Sequence, residues 1–121
     1  ARGDEGWARL VDRFMADADY LEAGIVAHPS LEMMSSRMWT NVCFRFNGGD
    51  GSMDLNDLNT EIRNRLMREG SYMVSRSNVG ENIVIRMVVA NQNLTRSTLD
   101  GLLERVVHHG EEILRGLPAV V

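Results

Sequence analysis

Glu81 to Asn91 of the 121-residue chain reads ENIVIRMVVAN. Both alternating sets of this stretch are apolar, Ile83, Ile85, Met87 and Val89 on one side and Val84, Val88 and Ala90 on the other. That pattern predicts an interior strand over Asn82–Ala90, with neighbours on both edges. Arg86 breaks it. An unpaired guanidinium taken out of water costs several kcal/mol even after relaxation, so Arg86 must reach solvent, a protein carboxylate or a bound anion.

Working outward, Tyr72–Arg76 is the strand before it, and the polar residues 77–81 form the turn between the two. Upstream, Leu55, Leu58, Ile62, Leu66 and Met67 share one side of a helix that Asp54 caps and Gly70 stops. Met38–Phe46 is a strand with Val42, Phe44 and Phe46 on one face and Cys43 and Arg45 on the other, and Leu31–Ser35 is a shorter one. From Asp4 to Ala27, Trp7, Leu10, Val11, Phe14, Met15, Ala18, Leu21 and Ile25 follow a 3.6-residue period, and His28-Pro29 ends that helix. Asp4 and Glu5 at its start suit the helix dipole. After a polar loop over 91–95, a last helix buries Leu99, Leu102, Leu103, Val106, Gly110, Ile113 and Leu114.

The order predicts a two-layer α+β domain with three helices and a mostly antiparallel sheet of three to four strands. A right-handed crossover from the Met38–Phe46 strand to the Tyr72–Arg76 strand leaves a slot that the Arg86 strand fills, making it central. If helices cover one face of the sheet, the face carrying Arg86 stays open.

Composition narrows the function classes. The net charge is −4 and there are only two tryptophans, two tyrosines and three phenylalanines, which argues against a nucleic-acid or anionic-membrane partner. No apolar run approaches the roughly 18 residues of a membrane span, so a soluble, cytoplasmic protein is expected. The chain opens at Ala1 on polar residues without an initiator methionine, as a segment of a longer protein would. One cysteine excludes an internal disulfide and any CxxC motif. All 13 basic residues are arginine, so Schiff-base chemistry on a lysine lies outside this chain.

Individual candidates read mostly as structure. His108 and His109 are adjacent on a helix and point about 100° apart, a poor arrangement for one metal, so they are expected as surface or helix-end residues with His28. Cys43 has no neighbouring partner and is expected as a buried structural thiol. The loop NGGDGS lacks a P-loop lysine and carries Asp50, so a flexible surface turn is expected. The methionines are expected at core-facing positions. For Arg86 two readings stand: a bidentate site for a carboxylate or other oxyanion, or a structural pair or exposed charge.

As an ordered string the motifs carry more. RGDEGWARLVDRFMADADYLEAGI, HPSLEMM, TNVCFRF, LNTEIRNRLMREGSYMVS and IRMVVANQNLTRSTLDGLLERVVHHGEEIL together resemble the C-terminal portion of the group II pyridoxal-phosphate-dependent amino-acid decarboxylases, nearest to the glutamate and cysteine-sulfinate enzymes. The resemblance implies the small domain of an aspartate-aminotransferase-type (fold type I) enzyme: residues 1–30 as the helix leading in and 31–121 as the domain itself. It implies that the cofactor, pyridoxal 5'-phosphate, sits on a lysine of a large domain outside this chain, and that the partners are that large domain, an amino-acid substrate and a second subunit in a homodimer. The implied reaction is α-decarboxylation of an acidic amino acid such as glutamate, aspartate or cysteine sulfinate, with this segment alone inactive. Arg86 matches a small-domain arginine that faces the substrate carboxylate, and no catalytic or cofactor-binding residue is expected here. Arg45 departs from the pattern, because that position after NVCF carries an aromatic in many of the nearest decarboxylases. From a different class, a free-standing α+β binding or dimerisation module remains the alternative.

Overall fold

The computed structural model describes residues 2–37, 39–49, 51, 53–70, 74–89 and 94–116, with the backbone alone for residues 2–5. The side chains of Asp4 and Glu5, and residues Met38, Asp50, Tyr72 and Ala90 with the loop positions 91–93, lie outside the described set. The elements are α1 (Arg2–Ala27), β1 (Leu31–Met33), β2 (Asn41–Phe46), α2 (Leu55–Glu69), β3 (Val74–Val79), β4 (Asn82–Val88) and α3 (Arg96–Leu114).

The four strands form one sheet in the order β1-β2-β4-β3, antiparallel at every pairing. The Arg86 strand is therefore central, as its two apolar sets require. Helices cover one face only. Val42, Phe44 and Phe46 of β2 and Ile85 and Met87 of β4 enter a core with Leu21 and Ile25 of α1, Leu58, Ile62 and Leu66 of α2, and Leu99, Leu102 and Val106 of α3.

Local chemistry sets the element ends. Asp54 caps α2 by accepting the backbone N–H groups of Asn56 and Asp57, and Gly70 closes it in the left-handed region at φ 68°. Thr95 caps α3 through Thr98 N–H. β2 and β4 part company beyond the Phe44–Ile85 pair, and two asparagines of α2 replace the lost ladder. Asn59, fully buried, accepts the Phe46 N–H at 2.8 Å and donates to the Phe46 carbonyl at 2.9 Å. Asn56 accepts the Ile83 N–H at 2.8 Å.

Several boundaries differ from the sequence reading. β1 ends at Met33 rather than Ser35, and β2 starts at Asn41 because Trp39 takes φ 58°, which no strand accommodates. Residues 77–79 belong to β3, not to the turn: Val79 pairs with Asn82 across a two-residue hairpin at Gly80-Glu81, with Gly80 at φ 62°. The polar run misled because β3 is an edge strand, where polar side chains meet water. Trp7 and Met67, assigned to buried helix faces, are 66% and 50% exposed. Gly48 and Gly49 are packed rather than loose: a Cβ on Gly48 would stand 2.6 Å from the Phe46 ring, and one on Gly49 2.8 Å from Leu114.

Candidate functional site

The site is built on the face of the sheet that no helix covers. Cys43 of β2, Arg86 of β4 and Ser75 of β3 stand in one row across that face, because antiparallel register puts paired residues on the same side. The next row holds Glu32 and Arg45, paired between β1 and β2. Two arginines thus share the face, with different fates. Arg45 Nε donates to Glu32 Oε1 at 2.7 Å, and its side chain is 17% exposed. Arg86 is exposed, and among the described residues no carboxylate lies within ion-pairing distance of it.

Arg86 lines a cavity of about 410 Å³, within the range of small-molecule sites. Ser77 borders it on the β3 side. Opposite stand Asn41 and Cys43 of β2 with Ser35, Ser36 and Trp39 of the preceding loop. No acidic residue lines it, so the guanidinium is its one formal charge among the described residues. The Asn41 Oδ1 atom is buried there without a hydrogen-bond partner among the described residues, an open position for a donor. Cys43 is half-buried and faces this cavity, which corrects its reading as a thiol inside the core: the core-facing residues of β2 are its neighbours Val42 and Phe44.

The loop carrying Ser35 to Trp39 is tied down at both ends. The Arg37 guanidinium pairs with Asp19 at 2.5 Å and donates to the Met15 carbonyl at 3.2 Å, fastening the loop to α1. On the far side, Val89 N–H donates to the Thr40 carbonyl at 2.9 Å.

A second polar cluster lies away from this face, between α2 and α3. His109, expected at the surface, is only 5% exposed. Its Nε2 is 2.6 Å from Glu69 Oε1, and Arg105 pairs with the same carboxylate oxygen. Burial, the largest effect, holds the His109 pKa below the usual imidazole range, with the Arg105 and His108 charges adding to it and Glu69 opposing. The Glu69 carboxyl is pushed up by burial, but its bonds to Arg105 and His109 outweigh that and leave its pKa below the ordinary range. His108 keeps a half-exposed position, paired with Glu112 at 2.7 Å, and His28 closes the end of α1 by accepting Ser30 N–H at 3.0 Å. No three metal-ligating side chains converge among the described residues. The cluster serves helix packing.

No protein-family model matches the chain. The human cysteine sulfinic acid decarboxylase is 28% identical to it over 123 aligned positions, covering 93% of this chain and 25% of that protein. The crystal structure of mouse CSAD superposes with a TM-score of 0.78 at 27% identity, covering 89% of this chain and 25% of that one. The chain is homologous to the group II pyridoxal-phosphate-dependent decarboxylases. It spans about a quarter of the length of these relatives. The Oryza sativa TDC with PLP and tryptamine has the same fold over 88% of this chain and 23% of its own, with a TM-score of 0.79 at 22% identity. The α+β architecture drawn from the sequence is therefore that of decarboxylase C-terminal domains.

Within this homology the residues present do not provide an attachment for the cofactor. None of the 121 is lysine, so an aldehyde cofactor finds no side-chain amine here. What the open face offers is a guanidinium, Arg86, lining a cavity with no acidic residue among the described ones. Sequence reading found Arg86 by its charge in an apolar run; it missed Trp39, which it placed inside a strand, because nothing in the residue type announces a left-handed backbone.

No helix among the described residues is long and apolar enough to cross a membrane.

Proposed function

We propose that the chain is the small C-terminal domain of a pyridoxal-phosphate-dependent amino-acid decarboxylase acting on an acidic amino acid, with residues 1–30 leading into it and 31–121 forming it. The cofactor and its lysine belong to the large domain of the same enzyme, a homodimer in the cytoplasm. The observation that carries the proposal is Arg86: a guanidinium at the centre of an open sheet face, lining a cavity without acidic residues and with no ion pair among the described residues.

Arg86 receives a carboxylate of the substrate through its planar fork. Its role is orientation. A decarboxylase gains nothing from gripping the departing carboxylate tightly, because an interaction that weakens toward the transition state opposes the reaction. The acidic substrate class is supported by the likeness to cysteine sulfinic acid decarboxylase and by the sign of the cavity.

In the full-length enzyme, Arg86→Met is expected to lower kcat/KM at least about tenfold, equivalent to roughly 1.4 kcal/mol of transition-state stabilisation, without changing the melting temperature. Wild-type kinetics in a folded variant would remove Arg86 from the substrate site. The isolated chain mixed with pyridoxal phosphate should show no stable imine absorbance.

A further inference from the structure

One wall of the Arg86 cavity has no part in binding an acid group. Trp39 is the one large apolar side chain among the described lining residues; the rest are serines, Asn41, Cys43 and Arg86 itself. It is 72% exposed, so core packing does not hold it in place. It is also the one described non-glycine residue with positive φ, 58°.

A bulky aromatic rarely adopts the left-handed region, and such strain persists only where neighbouring structure over-determines it, most often at functional sites. Here both sides are fixed. Arg37 is fastened to Asp19 and the Met15 carbonyl, and the Thr40 carbonyl is bonded to Val89 N–H. Strand alternation alone would put residue 39 on the same face as Asn41 and Cys43, so the left-handed turn does not choose the face; it keeps Trp39 out of the β2 ladder, whose pairing starts at Asn41.

We infer that Trp39 is a specificity-determining residue, an apolar wall against the carbon chain of the acid whose charged end Arg86 receives, and that it limits the chain length admitted. The inference rests on the proposed function. An indole presents a large rigid surface with few rotatable bonds, suited to excluding a longer chain. Confined apolar sites discriminate one methylene by roughly 10- to 200-fold. The described lining supplies no other apolar side chain of that size.

The experiment uses the full-length enzyme and three variants: Trp39→Gly, which accepts positive φ freely; Trp39→Asn, which tolerates it; and Trp39→Phe, which keeps an aromatic wall. The readout is the ratio of kcat/KM for L-2-aminoadipate to that for the shorter L-aspartate, with the melting temperature of each protein. Trp39→Gly and Trp39→Asn are expected to raise the ratio about tenfold with no loss of melting temperature, while Trp39→Phe stays within about threefold of wild type. A ratio within about twofold of wild type in both the Gly and Asn variants overturns the inference. So does unfolding of Trp39→Gly, because a strained, exposed residue cannot be what holds the fold. If these variants behave like wild type while Arg86→Met still loses its activity, the wall is wrong and the substrate site stands. If Arg86→Met is silent, the functional reading itself fails.

Discussion

The two faces of β2 show how differently one strand can be used. Phe44 is fully buried under the helices, while its neighbour Cys43 stays half-buried on the open side beside Arg86. The covered face is completed within the chain: its side chains meet partners from all three helices. The open face is completed only in part, since Arg45 has Glu32 and Arg86 has no acid among the described residues. A face left in that state is available for something else, and stability and function should separate along the strand.

Adjacent substitutions test that separation most severely. Phe44→Ala opens a cavity in the core and is expected to cost about 3–5 kcal/mol in denaturant unfolding. Cys43→Ala, one residue away, should cost less than about 1 kcal/mol. Similar costs at the two positions would mean that the open face is packed as a second core, and the comparison would break.

A smaller effect probes the seam between α2 and α3 on the covered side. His109 has a folded-state pKa below its unfolded value, so the native protein binds fewer protons at this site than the unfolded chain. Its contribution is fully present above an unfolded pKa of about 6.5 and is lost as the pH falls through the lower folded value. Stability should therefore decline as the pH falls below about 6.5, by at most about 1.4 kcal/mol per pH unit for one proton. His109→Gln, whose amide can still donate to Glu69, should flatten that slope. Glu69 also has a lowered pKa, and its loss begins only at lower pH, as the pH falls to the ordinary carboxylate value of 4.5. An unchanged slope in His109→Gln would place the titration elsewhere.

What the sequence disclosed follows from what is local. The periods of α1, α2 and α3, the Asp54 and Gly70 caps and the central position of β4 all come from spacing within a few residues, and each is present. Residues whose role depends on a distant partner were passed over or misjudged. Asn59 drew no attention in the sequence, because its partner Phe46, whose N–H and carbonyl it takes, lies 13 positions earlier on a strand. His109 looks exposed until Glu69, 40 positions away, arrives beside it. The candidate site divides in the same way: Arg86 was legible because a charge in an apolar run is a local contradiction, whereas Trp39 owes its place to tethers at Arg37 and Thr40 that reach α1 and Val89.

The smallest expected effect bears most directly on the two arginines. Glu32 is 37% exposed at its side chain, so its bond to Arg45 is solvent-screened and should contribute only about 0.2–1 kcal/mol. Glu32→Gln removes the negative charge while keeping a hydrogen-bond acceptor, and it leaves Arg45 as a second unneutralised guanidinium one row from Arg86. If pairing alone distinguishes the two, the variant should acquire a competing anion site, seen as a rise in KM in the full-length enzyme. The cavity argues otherwise: Arg86 borders it and Arg45 does not, so a freed Arg45 gains a charge without a place for the rest of the ligand. The expected result is an unfolding free energy lowered by less than about 1 kcal/mol and a KM within about twofold of wild type. A KM shift as large as that of Arg86→Met would show that charge balance on the open face, rather than the shape around Arg86, selects the acid.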